Sequence, residues 1–325
     1  MIIGKNFFIN EMPKTGTSFL RNYFKKYKNV TITKHHDTIE HNKEKKLLKK
    51  KYRIGTIRSP YTWYLSFWKW SCLKKKHSPL YNDLTSRRIK IRRLKFNSKL
   101  FDYLFNQITK NTNEIESLFK NVNSKKNFNK FLQILLDHKY RHYISSDFSF
   151  TQNQELGYMT HFFFYQNVLR KYYEKFFLPN QNFLKLIKKI DSKIFTNYYF
   201  KTESLDKDLK LFLKKNKIKL KEFKHLDKNS TNINLDEDYK SFFLQKNLKL
   251  IEKKENYLFK KFKYKKISNK IKKWIFNLFF NAKVIIMSKR YSGKSFKDSS
   301  ASKKPKLSLK EKRKQKKEKL KNLRN

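Results

Sequence analysis

The chain has 325 residues, 80 of them Lys or Arg against 26 Asp or Glu, for a formal net charge of +54; aromatic residues make up 17%. That length allows one large α/β domain, alone or with appendages, with a core rich in Phe, Tyr and Ile. The single cysteine, Cys72, excludes an intrachain disulfide and a CxxC metal pair.

Such a charge favours polyanion partners: nucleic acid, an acidic membrane surface or an anionic glycan. Lysine is also spread along the whole chain with Asn, Ile, Phe and Tyr, a mixture that AT-rich coding produces without selection for charge. The specific signal therefore has to come from position.

The apolar run NFFIN (6–10) reads as a buried strand, and TSFLRNYFKKY (17–27) carries Phe19, Leu20, Tyr23, Phe24 and Tyr27 at helical spacing. VTIT (30–33) is strand-like, IEHNKEKKLLKKK (39–51) helix-like and YRIGTI (52–57) a further strand. Pro60 suits the first turn of the next helix, YTWYLSFWKW. Strands alternating with helices predict an α/β fold with a parallel sheet flanked by helices. From about 74 to 195 the periodicity is helical, notably in 99–108, 128–140 and 161–177, predicting a helical insertion that covers the sheet. TNYYFK (196–201) returns to strand character, and helices are expected near 206–215, 236–250 and 251–263. The expected organisation is a domain over 1–264, an amphipathic or membrane-surface helix over 265–288, and a Lys-rich tail over 289–325 with the composition of a disordered segment. Residues 1–10 run straight into the first motif and leave no room for a signal peptide or anchor ahead of it, so a reducing, cytoplasmic setting is expected.

Two short segments carry the chemistry. EMPKTGTSFL (11–20) places Lys14, Thr15, Gly16, Thr17 and Ser18 between a strand and a helix start. Unpaired N–H groups and the helix dipole there attract phosphate or sulfate, Gly16 permits close approach of the backbone, and Lys14 adds a full charge. The Walker A pattern is absent: Lys14 precedes the glycine, and Glu11 stands where the first glycine would fall. In YRIGTIRSPYTWYLSFW (52–68), Arg58 ends a strand and Ser66 follows eight positions later in the helix. Two anion sites on neighbouring β-α units imply a ligand with two anionic ends.

PKTGTSFL resembles the 5′-phosphosulfate loop of sulfotransferases that use 3′-phosphoadenylyl sulfate (PAPS), and IRSPYTWYLSFW resembles their 3′-phosphate motif. The strand and acidic turn of 200–218, the loop HLDKNST (225–231) and LFKKFKY (258–264) extend the resemblance to about 6–264, toward the carbohydrate and bacterial branch. The late glycine-and-lysine loop of the small-molecule branch is missing. The resemblance implies Lys14 to Ser18 on the phosphosulfate, and Arg58 and Ser66 on the 3′-phosphate. It also implies Ser230 on the nucleotide, although HLDKNST departs from the family pattern.

Sulfuryl transfer needs a base for the acceptor hydroxyl and positive charge at the leaving oxygen. TKHHDT (33–38) follows the second strand and offers His35, with His36 as the close alternative and Asp37 able to orient either ring. Lys14 would stabilise the leaving group, and no metal is expected. His41, His138, His142 and His161 read as structural or solvent-facing. The expected acceptor is a carbohydrate or glycolipid hydroxyl. Arg87, Arg88, Arg92 and Arg93 either line an anionic groove or form a solvated basic face. KKWIFNLFFNAKVIIMSKR (272–290) is too short and too interrupted to span a bilayer but suits peripheral membrane contact. Two alternatives compete: a non-enzymatic basic protein binding nucleic acid or acidic membrane, and a small-molecule kinase. Nucleic acid is not favoured, because generic basicity leaves the two ordered motifs unexplained.

Overall fold

The computed structural model describes residues 1–37, 39, 45–87, 89, 98–144, 147–151, 155–178, 182–218 and 239–268. All of them belong to one compact unit, Met1–Ser268. Ser230, Arg88, Arg92, Arg93, His41, the 272–290 segment and the Lys-rich tail lie outside the described residues.

A five-stranded sheet forms from β1 (Ile2–Ile3), β2 (Phe7–Asn10), β3 (Thr31–Ile32), β4 (Tyr52–Ile57) and β5 (Tyr198–Lys201), in the order β3-β1-β2-β4-β5. The helices are α1 (Thr17–Phe24), α2 (Pro60–Leu73), α3 (Pro79–Thr85), α4 (Ser98–Thr109), α5 (Thr112–Leu118), α6 (Lys125–Leu136), α7 (Tyr158–Asn167), α8 (Arg170–Tyr173), α9 (Phe183–Asp191), α10 (Leu205–Lys215), α11 (Gln245–Lys254) and α12 (Asn256–Phe262). The chain is thus α/β, and it is helical between β4 and β5.

The sheet is mixed, which corrects the expectation of a parallel one. β2, β4 and β5 pair in parallel, but β1 is antiparallel to both β2 and β3. The physical reason is the short Gly4–Asn6 turn: a connection that brief can only reverse the chain, closed by Gly4 N–H donating to Phe7 O at 2.9 Å. β3, being antiparallel to β1, runs in the same direction as β2. The C-terminal ends of β2, β3, β4 and β5 therefore share one edge of the sheet. The chain leaves β2 toward β3 on one side and β4 toward β5 on the other. The crevice between the ends of β2 and β4 is thus the point where strand order reverses, the usual ligand position in open α/β sheets.

Alternation along β2 buries both faces. Phe7 and Ile9 join α1 and α10 through Leu20, Phe24, Leu209 and Phe212, while Phe8 packs with Met1, Ile39 and Leu47 opposite. Three helix boundaries differ from the expected ones. Residues 45–49 form a short 3-10 helix, not the longer α-helix expected over 39–51. The helix predicted through 140 stops at Leu136, where the Asp137 carboxylate accepts from Lys139 N–H at 3.2 Å. The helix predicted over 161–177 is broken by Val168, which is extended and bridges to Ile194.

Two glutamates of the C-terminal helical layer hold α2 from behind. Glu252, on α11, accepts from Tyr61 Oη and from the Ile267 and Ser268 N–H groups at 3.1 and 2.9 Å. Glu255 accepts from Tyr64 Oη, from Thr160 Oγ1 and from the first N–H groups of α7, Met159 and Thr160. A Cβ on Gly157 would lie 2.1 Å from the Glu255 carboxylate, so only glycine admits this cap. Tyr61, Tyr64 and Trp68 thereby face the core, and Thr62, Ser66 and Trp70 are left for the opposite face. Burial pushes the Glu255 carboxyl up from its ordinary range, and its hydrogen bonds oppose that shift. Glu255→Ala removes four donors' acceptor at once and is expected to lower unfolding free energy by about 3–5 kcal/mol, read from urea denaturation.

Candidate functional site

The loop after β2 is built around an ion pair. Glu11, fully buried, accepts from Arg21 of α1 through both oxygens, at 2.6 and 2.5 Å. The same guanidinium donates to Thr33 O at 2.8 Å and Lys34 O at 2.7 Å, joining the loop to the segment that leaves β3. Thr15 turns inward: its hydroxyl donates to Met12 O and meets Thr56 Oγ1 of β4, both at 2.6 Å, and Met12 N–H donates to Thr56 Oγ1 at 3.0 Å. Thr15 can thus offer a ligand its backbone N–H, but its hydroxyl is tied to the scaffold.

Lys14 and Gly16 both have left-handed backbone, with φ of 63° and 81°. Gly16 precedes α1 as its cap residue, and a Cβ there would lie 2.6 Å from Leu205 Cδ2. This winding leaves the N–H groups of Lys14, Thr15, Gly16, Thr17 and Ser18 without partners among the described residues. Ser18 is exposed, and its hydroxyl is likewise unpartnered among them. A run of N–H donors at a helix start fits a tetrahedral oxyanion.

Arg58, at the end of β4, donates to Lys14 O at 3.3 Å and to Thr62 Oγ1 at 3.0 Å. Trp63 Nε1 donates to Pro13 O at 2.8 Å, so α2 and the loop are fastened together. The Lys14 ammonium sits over the Trp70 ring, 5.0 Å from its centroid. Thr62, Ser66 and Trp70 follow one another at four-residue spacing on one face of α2. Ser66 therefore lies on the stripe between the side chains that meet Arg58 and Lys14, and its hydroxyl has no partner among the described residues. Burial, and then the neighbouring Arg58, push the Lys14 ammonium down to about 8. Burial also lowers Arg58, partly offset by Glu203 and Tyr264. Glu203 accepts from Ser59 N–H at 2.7 Å, capping α2, and from Tyr264 Oη at 3.3 Å.

The two histidines differ. His36, half-buried with φ of 54°, has its Nδ1 2.9 Å from Glu11 O. A carbonyl only accepts, so Nδ1 carries the proton and Nε2 is left as a basic lone pair. Gln166 Nε2 donates to His36 O at 3.2 Å and fixes the other side. His35 is exposed, with its ring centroid 5.6 Å from that of His36. Desolvation lowers both imidazoles below their ordinary value, with Arg21 adding to the effect, so both are neutral bases at pH 7. It is a backbone carbonyl, not Asp37, that holds the His36 ring. His161 is buried, bonded to Tyr173 Oη at 2.8 Å within an aromatic cluster.

The structure thus brings Lys14, Gly16, Thr17, Ser18, Arg58 and Ser66 to the crevice between β2 and β4, with His36 tied to the base of the same loop. Sequence reasoning missed Arg21, Thr56, Trp70, Glu203 and Gln166. Glu11 was legible only as a departure from Walker A. Comparison with family models, curated proteins and solved structures returned no match. Arg21→Met leaves the Glu11 carboxylate buried with much of its compensation gone. The expected loss is about 3–5 kcal/mol of unfolding free energy, measured by chemical denaturation.

Proposed function

We propose that this protein is a sulfotransferase that moves a sulfuryl group from PAPS to a hydroxyl of a carbohydrate or glycolipid. One observation carries the reading: Arg58 is bonded to the carbonyl of Lys14, so the two sequence motifs meet as a pair of adjacent cations beside a run of N–H groups that have no partner among the described residues. Like charges forced together and partly desolvated are unfavourable unless an anion joins them. Two such positions on neighbouring β-α units suit a ligand anionic at both ends.

In this reading Lys14 and the N–H groups of 14–18 hold the phosphosulfate, with the Ser18 hydroxyl beside them. Arg58 and Ser66 hold the 3′-phosphate, and Ser230 completes the nucleotide site. When bound, the donor supplies an activated sulfuryl group whose departure leaves negative charge on a phosphate oxygen, and Lys14 is placed to neutralise that charge. His36 accepts the acceptor's hydroxyl proton at Nε2, with its tautomer held by Glu11 O; His35 is the alternative base. The reading needs no catalytic metal and places the protein in the cytoplasm. Among the described residues no helix is long and apolar enough to cross a membrane. A P-loop kinase is disfavoured because Glu11, locked to Arg21, occupies the place of the first Walker glycine.

The first test is calorimetric titration with 3′-phosphoadenosine 5′-phosphate. Micromolar or tighter binding, lost in Lys14→Met and Arg58→Ala, is expected; a folded wild type that does not bind overturns the proposal in favour of a generic basic binder. Lys14 must be charged to hold the ligand, and its ammonium titrates at about 8. Affinity should therefore be flat below that pH and weaken by up to about tenfold between pH 7 and 9. The sign for the ligand-free protein is opposite. A lysine whose folded pKa lies below its unfolded value destabilises the fold at neutral pH, so Lys14→Met should raise the melting temperature by about 2–4 °C while abolishing binding. With radiolabelled PAPS and a panel of polysaccharides, His36→Asn should lower turnover by about 100-fold or more with nucleotide affinity unchanged. Loss in His35→Asn instead would transfer the base role to His35.

A further inference from the structure

The α4 helix is apolar on two opposite faces. Leu100, Tyr103 and Gln107 point inward, with Tyr103 and Gln107 fully buried and Gln107 Nε2 donating to His142 O at 2.5 Å. On the other side Phe101, Phe105 and Ile108 follow at spacings of four and three, and they are 71%, 67% and 61% exposed. Isolated exposed apolar residues are ordinary, but a contiguous aromatic stripe on a helix already anchored by its other face marks a docking surface.

We propose that the Phe101–Phe105–Ile108 stripe docks this protein on an anionic lipid bilayer. Charge selects that occupant. The chain carries +54, and the sequence leading into α4 holds Arg87, Arg88, Lys90, Arg92, Arg93 and Lys95 with no acid between them. A second copy would bring the same excess charge against itself, whereas acidic headgroups are attracted to it. Two phenylalanines and an isoleucine in line suit the boundary between headgroups and acyl chains, where an interfacial helix buries its apolar face. Asp102 is the one acidic residue of α4, and it too is exposed. The stripe shares no residue with the crevice between β2 and β4, and the proposal does not depend on the identity of the donor.

The test is co-sedimentation of the full chain with vesicles of phosphatidylcholine containing about a third phosphatidylserine, compared with phosphatidylcholine alone, at about 0.15 M salt. The variant is Phe101→Ser/Phe105→Ser/Ile108→Ser, with circular dichroism and melting temperature as folding controls. Its substitutions fall on exposed positions, so its melting temperature is expected to match the wild type. Wild type should pellet with the acidic vesicles, and the variant should lose about tenfold or more in affinity. Equal binding by a folded variant would show that charge alone attracts the protein and would overturn the proposal. No binding by wild type would also overturn it. A wild-type dimer that the variant converts to monomer, with vesicle binding unchanged, would assign the stripe to a second copy instead. Should the triple variant fail to fold, Phe105→Ser alone, with a threefold or greater loss expected, decides by the same criteria.

Discussion

The candidate site depends on the buried pair of Glu11 and Arg21. A carboxylate removed from water is tolerated only when its oxygens are filled, and here the guanidinium fork fills both, at 2.6 and 2.5 Å. The remaining donors of the fork reach Thr33 and Lys34, across the width of β1. β3 has only two residues, too short a ladder to fix where the chain goes next. Arg21 supplies that fixation together with the Met1 ammonium, which donates to Thr33 Oγ1 at 2.8 Å and Lys34 O at 3.2 Å, and the following residues return to the loop, where His36 meets Glu11 O. The contacts of Glu11 and Arg21 therefore hold the loop after β2 and the segment that carries His36 together.

Around that anchor the molecule concentrates unfavourable features. Lys14, Gly16 and His36 have left-handed backbone, of which only glycine adopts it without strain. Lys14 and Arg58 oppose each other as like charges, and burial weakens the hold of each on its proton. Ser78, Asn111, Ser124 and Asn182 cap their helices with side-chain oxygens. Left-handed backbone also occurs at Lys217 and Lys263, and burial lowers Lys110 and Lys254 as well, so what sets this loop apart is that both features meet there beside a run of N–H donors.

Much of the framework was legible in the sequence because it follows from local periodicity. YRIGTI, NFFIN and TNYYFK are β-branched or aromatic runs bounded by charge, and they form β4, β2 and β5. β1 was not legible, since a two-residue strand has no period, and with it the mixed character of the sheet was lost. The order of Lys14, Arg58 and Ser66 was readable because each sits at a fixed offset from a strand end. Pairings across the chain were not: nothing in Glu252 or Glu255 announces Tyr61 or Tyr64, and Thr15 looks like a ligand hydroxyl until Thr56 is placed beside it. The two-faced α4 was hidden for a further reason. Periodicity reports that a face is apolar, but not whether the fold covers it.

The charge of the chain carries less information than its placement. Most of the described lysines stand in water, where a neighbouring charge interacts weakly and salt at physiological strength screens it within about 8 Å. Lys14 and Arg58 are partly desolvated, and Arg58 donates to the Lys14 carbonyl, so an anion beside them would interact at a lower effective dielectric and be screened far less. A surface that binds polyanions by counterion release loses affinity steeply with salt. A pocket that holds two phosphate-like groups by oriented N–H donors and a guanidinium keeps most of its affinity. The contrast separates diffuse basicity from a built site on physical grounds, and the partly desolvated Lys14 and Arg58, unlike cations standing in water, have the surroundings of the second class.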